Sequence, residues 1–132
     1  MVPVEGYSEL DLDDPYEGPA TYILILDFDI DREVNVGSLG SVSFKKGRYA
    51  YVGSAKSGLW GRVKRHLSNP NRRRWHIDSI TGHSTSRKVF FKEHMEGDEC
   101  GTASLLSERF DSIRGFGCSD CRCGSHLFFL EQ

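Results

Sequence analysis

The chain has 132 residues, of which 38% are hydrophobic and 27% charged, with a formal net charge of −2. That length suits one domain with a core of its own, and the ordinary apolar content speaks against global disorder. No apolar run approaches the ~20 residues of a membrane span, and the acidic start lacks the basic character of a secretion signal. A cytoplasmic protein is therefore expected, with its four cysteines reduced or metal-bound more readily than paired in disulfides.

In chain order, residues 1–17 read as an acidic flexible arm without a hydrophobic period, and residues 18–132 as the folded domain. The β-branched, continuously apolar run Thr21 to Phe28 predicts a central strand buried on both faces. Val34–Val36 and Val42–Phe44 flank Gly37-Ser38-Leu39-Gly40, a hairpin with glycine turn chemistry. Arg48 to Gly53 is strand-like again. Ser57 fits an N-cap for a helix over Gly58 to Leu67, with Leu59, Val63 and Leu67 on its buried side and Arg62, Lys64, Arg65 and His66 elsewhere. Trp75 to Ile80 predicts a short helix, Arg87 to Phe91 a strand, and Asp98 to Phe110 a helix with Ala103, Leu106 and Phe110 on one face. Residues 115–123 read as a tight loop and His126 to Leu130 as a last strand. Strands followed by helix, strand and helix predict an α+β domain whose small, mostly antiparallel central sheet is flanked by helices.

The charges are segregated along the chain. Residues 1–33 carry ten acids against Arg32, residues 45–74 ten basic side chains and no acid, and residues 75–132 nine acids and six bases. Such segregation predicts a cationic surface for a polyanion, DNA first and RNA not excluded. Mutual neutralisation of the segments, or a high-salt habitat, is the plainer alternative. Lys56, Lys64, Arg65 and the run Arg72-Arg73-Arg74 are the candidate backbone contacts. Within this region Tyr51-Val52-Gly53 ends a strand, and the following helix presents Arg62 and His66 four residues apart on one face. Phenols, a fixed cation and an imidazole suit phosphodiester chemistry. The cation meets the charge that builds on phosphorus, and a phenol or imidazole handles the proton.

These residues, in this order, resemble the GIY-YIG endonucleases. In that family one strand ends its signature in tyrosine and a second reads tyrosine-hydrophobic-glycine. A helix then supplies an arginine, and a later helix a glutamate that holds a divalent cation. Tyr22 resembles the first tyrosine, Tyr51-Val52-Gly53 the second signature, Arg62 and His66 the arginine helix, and Glu99 the metal glutamate. The chain is more similar still to a small uncharacterised branch of that family, sometimes attached to DNA-repair glycosylases. The residues that carry this are Trp75-His76-Ile77-Asp78 and the tail from Gly115-Phe116-Gly117-Cys118 to His126. The resemblance covers about residues 18 to 130 and implies a nuclease fold, DNA as substrate and a DNA-repair protein as a partner. Two departures stand out: the first signature is Ala20-Thr21-Tyr22, and the two tyrosines lie 29 positions apart, a gap that the hairpin at 34–44 accounts for.

The roles so implied also make physical sense. Glu99 is a hard-oxygen ligand suited to Mg2+ or Mn2+, although Asp98 beside it serves equally well. Arg62 can fork two hydrogen bonds onto phosphate oxygens. Either Tyr22 or Tyr51 can take the proton of an attacking water, with His66 orienting a phosphate or sharing the transfer. For each, a plainer role exists: tyrosines of the core, and a helix-start acid favoured by the dipole. Cys118, Cys121, Cys123 and His126 offer four zinc-type ligands in nine residues, with ordinary loop thiols as the default. The expectation is thus a divalent-metal-dependent DNA endonuclease. The rivals are a catalytically inactive nucleic-acid-binding module of the same fold and a zinc-stabilised interaction adaptor.

Overall fold

In a computed structural model, residues 5–68, 77, 80–81, 87–93, 98–117 and 124–131 are described. The elements are β1 (Ser8–Glu9), β2 (Ala20–Phe28), β3 (Arg32–Asn35), β4 (Ser41–Phe44), β5 (Gly47–Ala55), α1 (Leu59–Ser68), β6 (Arg87–Glu93), α2 (Asp98–Ser107), β7 (Asp111–Ser112) and β8 (Leu127–Glu131), with a 3-10 turn at Gly37–Leu39. Six strands form one sheet in the order β1-β6-β2-β5-β8-β7, and every pairing in it is antiparallel. The α+β expectation holds. No helix among the described residues is long and apolar enough to cross a membrane.

The centre of the sheet is the pair β2–β5, in register from Ala20 opposite Ala55 to Phe28 opposite Gly47. Both strands are almost wholly buried, which is why their sequences run apolar instead of alternating with polar residues. Side chains of successive residues leave opposite faces of a strand, so this register sorts the core into two clusters. Tyr22, Leu24, Leu26, Phe28, Tyr49 and Tyr51 share one face with Leu59 and Val63 of α1. Ile23, Ile25, Ala50, Val52 and Phe128 share the other with Ala103 and Leu106 of α2. The two helices therefore cover opposite faces of the sheet.

The hairpin β3–β4 forms a second, two-stranded sheet. It attaches to the first core through Val34, Val36 and Phe44. Phe44 stacks on Phe28 at 5.3 Å between ring centroids and meets Tyr49 and Phe116 edge-on at 5.9 and 6.4 Å. At the same end of the sheet Arg48 grips Asp27 through Nε at 2.9 Å and lies 3.8 Å from Glu131.

Several elements differ from the sequence reading. Residues 7–10, read with the acidic arm, hold Tyr7 and Leu10 in the two cores and pair as β1 with β6. A two-residue strand has too little pattern to stand out, and burial of its flanking Tyr7 and Leu10 fixes it. The helix expected from Gly58 starts at Leu59, because Gly58 adopts φ +135°, a conformation that L side chains avoid. Helix α2 ends at Ser107 and not Phe110. The short helix expected over Trp75 to Ile80 lies largely outside the described residues, as does the side chain of Leu67. Ile77 and Ile80 are buried in the first core, and Ile80 N donates to Ile77 O at 3.1 Å.

Phe44→Ala should cost roughly 3–5 kcal/mol of stability, the usual result of truncating a buried phenylalanine. Urea denaturation checks this; a change below about 1 kcal/mol would show that the hairpin does not share the main core.

Candidate functional site

Residue 22 reaches the α1 face because β2 alternates, and α1 crosses that face with Leu59, Val63 and His66 on its inner side. The hydroxyl of Tyr22 and Nε2 of His66 are hydrogen-bonded at 2.7 Å, and both residues are 0% exposed. Tyr51, 7% exposed, completes the cluster: its ring centroid lies 6.4 Å from that of Tyr22 and 6.3 Å from that of His66. Gly53 pairs with Tyr22 across the ladder and leaves the space that the ring fills, since a Cβ there would sit 2.4 Å from Tyr22 Cζ. Phe116 packs edge-on against Tyr51 at 6.1 Å. A Cβ on Gly117 would stand 3.2 Å from both Tyr51 Cε1 and His126 Cβ. The sequence reading had turned His66 away from the buried side with the basic residues. The observed inner stripe is instead 59, 63 and 66, spaced as i, i+4, i+7, and it takes the imidazole inside, where Tyr22 is a partner for its Nε2.

The basic residues lie around this cluster. Arg62 stands one turn before His66 and is partly buried, as is Arg65, while Lys56 and Lys64 are exposed. Arg72, Arg73 and Arg74 lie outside the described residues. Tyr22, Tyr51 and His66 are thus brought together, on the helix face that Arg62 shares by spacing.

Glu99 is the second residue of α2, four residues before Ala103, which packs on the second sheet face. The Oε2 of Glu99 lies 3.5 Å from Nδ1 of His126, which is 2% exposed on its side chain. Asp98 pairs with Lys92 at 3.4 Å, and Tyr7 and Thr102 share a hydrogen bond of 2.7 Å between their hydroxyls. Among the described residues no three His, Cys, Asp or Glu side chains are grouped to hold a metal ion; Mg2+, which keeps most of its waters, needs only one or two carboxylates such as Glu99. Of the proposed zinc ligands, Cys118, Cys121 and Cys123 lie outside the described residues. His126 lies within them, and there it faces Glu99.

His126 is the residue whose place the sequence reading missed. Its backbone bridges the tail to the sheet, accepting from Val52 N at 2.9 Å and donating to Phe116 O at 2.8 Å. Burial pushes its imidazole below the ordinary histidine pKa, against a hydrogen bond with the Val52 backbone that favours the charged form. The nearby Glu99 carboxylate does not overcome that burial, so the ring is neutral at neutral pH. Burial likewise raises the Tyr7 phenol, and Asp98 and Glu99 add to the rise. The signal for His126 was its serine-histidine-leucine start to β8, which alternation alone does not aim.

Comparison with known proteins gives one family match: the description "Domain of unknown function DUF123" fits residues 21–132. No curated protein matches, and no solved structure does. The resemblance to the GIY-YIG endonucleases is corrected by this result. The matching family is a different one by description, and nothing in the comparisons joins it to those enzymes. Roles implied by that resemblance alone lapse with it.

Gly53→Ala should destabilise the protein by roughly 1–3 kcal/mol through overpacking against Tyr22, read as a lower urea midpoint; an unchanged midpoint would show that the ring yields freely. The depressed His126 pKa gives a second expectation. Its contribution is fully present above the unfolded histidine pKa of about 6.5 and is lost as pH falls through the lower folded value. The Tm of the wild type should therefore drop more between pH 7.5 and 5.5 than that of His126→Gln. Parallel curves would count against burial of a neutral ring.

Proposed function

The chain belongs to the DUF123 family of domains of unknown function, and we propose that it hydrolyses phosphodiester bonds in DNA as an endonuclease. The observation that carries the reading is the Tyr22–His66 hydrogen bond of 2.7 Å beside Tyr51, set in the helix that also bears Arg62, Lys64 and Arg65. Charge segregation supports a polyanionic substrate, and the exposed Lys56 and Lys64 are suited to its backbone.

In this reading Arg62 binds the non-bridging oxygens of the scissile phosphate and offsets the charge that grows on them in the transition state. A water attacks phosphorus as the bond to the leaving oxygen breaks. The proton of that water passes to the neutral imidazole of the Tyr22–His66 pair, or to Tyr51 as its phenolate, and a proton from solvent or from the pair neutralises the leaving alkoxide. A hydrogen-bonded phenol and imidazole can exchange a proton without rearranging, which suits them to both halves of the transfer. No step here is routed through a metal.

A second reading has its own observation. Tyr22 and His66 are both 0% exposed, which favours a catalytically inactive DNA-binding module in which the pair only braces the helix against the sheet.

Plain, nicked and branched DNA duplexes, and an RNA duplex, should be incubated with the protein with Mg2+ or Mn2+ and with chelator. Cleavage of at least one DNA substrate is expected. Arg62→Ala should reduce it by roughly 10²–10³-fold, the scale of one lost transition-state donor, while binding weakens far less. Tyr51→Phe and Tyr22→Phe then distinguish the two phenols. Binding without cleavage of any substrate would leave the binding module as the correct reading.

A further inference from the structure

We infer that the acidic segment leading into β2 is an intramolecular strap that opposes nucleic acid at the basic face of α1; this rests on the reading of that face as a nucleic-acid-binding surface. The segment holds four carboxylates within seven residues, Asp11, Asp13, Asp14 and Glu17, and all four are exposed.

Its course is determined by anchors on either side. Leu10 is buried in the same core cluster as Leu59 and Val63 of α1, and its N–H donates to Val89 O at 2.7 Å. Tyr16 packs against that cluster too, with its ring stacked on Phe91 at 5.1 Å. The segment between them is therefore held on the α1 side of the sheet, not the α2 side. Asp11 and Asp13 are turned tightly together, Asp13 N donating to Asp11 Oδ1 at 2.9 Å.

The far end of the strap is fastened to α1 itself. The N–H of Leu59, the first residue of the helix, donates to Gly18 O at 2.9 Å. Glu17 O approaches so closely that a Cβ on Gly58 would stand 2.9 Å from it. Helix N-termini attract phosphate through their orphan N–H groups and dipole. Here one of those N–H groups is already taken by the strap backbone, with the carboxylate of Glu17 beside it. A nucleic acid approaching Lys56, Arg62 and Lys64 meets the field of the strap carboxylates first. The strap lowers affinity for any polyanion, most at low salt, and only a ligand with contacts enough to outweigh that field binds well. Such a device gives a small domain selectivity without base-specific contacts.

The test compares the full-length wild type with two variants of equal charge change. The strap variant is Asp13→Asn, Asp14→Asn, Glu17→Gln, and the control is Glu33→Gln, Glu108→Gln, Asp111→Asn, three exposed acids away from the strap. Affinity for a labelled DNA duplex is read by fluorescence anisotropy across a salt series, with thermal melts verifying that each variant is folded. The strap variant should bind roughly three- to tenfold more tightly at low salt, converging on the wild type as screening grows, and the control should change by less than about twofold. Glu17→Gln alone should reproduce part of the gain. Equal gains in both variants would overturn the strap in favour of net charge alone. No gain in the strap variant, with Arg62→Ala still weakening binding, would overturn the strap and leave the binding surface standing. Absence of binding by every protein at low salt would sink both.

Discussion

The nine-residue ladder between β2 and β5, unbroken from Ala20–Ala55 to Phe28–Gly47, decides which groups in this protein can ever meet. Because strand side chains alternate, the ladder sends Tyr22 and Tyr51 to the face covered by α1, and Ile23 and Val52 to the face covered by α2. A slip of one residue would exchange the two sets and bury the wrong partners on each side. The continuous apolar sequence of both strands makes such a slip costly on both faces at once. The Tyr22–His66 pair lies beneath α1 for this reason.

On the α1 face the ladder leaves a polar pair inside an aromatic core. Removing water from a hydroxyl and an imidazole is unfavourable unless each finds a partner, and the Tyr22 hydroxyl and His66 Nε2 are partners for each other. Stripping one partner from such a pair leaves the other stranded, at a cost of about 1–3 kcal/mol. The pair therefore holds α1 at a set height above the sheet, which positions Arg62 one turn away. In the proposed reading the same bond serves both bracing and proton exchange.

The long strands and the two main helices were legible in the sequence because each repeats its pattern over many residues. Tyr51 and His66 could be nominated from order and spacing, whereas Tyr22 entered through the resemblance that the family match corrects. Two things were not legible. Helical spacing shows which residues of α2 share a side, yet it carries nothing about which face of the sheet that side will cover, so the Glu99–His126 contact could not be foreseen. The burial of His66 was hidden by its basic neighbours Lys64 and Arg65, since the partner that makes an imidazole acceptable in the core lies 44 positions away. Short edge strands such as β1 and β7, each of two residues, have no periodicity to read and are set by the strands they join.

The hairpin β3–β4 is joined to the rest of the molecule by rings and aliphatic side chains, not by a backbone ladder to the six-stranded sheet. Its length is thereby decoupled from the spacing of the central strands. Lengthening or trimming it between Ile30 and Lys45 moves neither tyrosine, provided a residue like Phe44 still seals the end of the core. In evolutionary terms the hairpin is a place where the chain can drift in size, acquire a new contact surface or lose one, while the chemistry beneath α1 stays where it is.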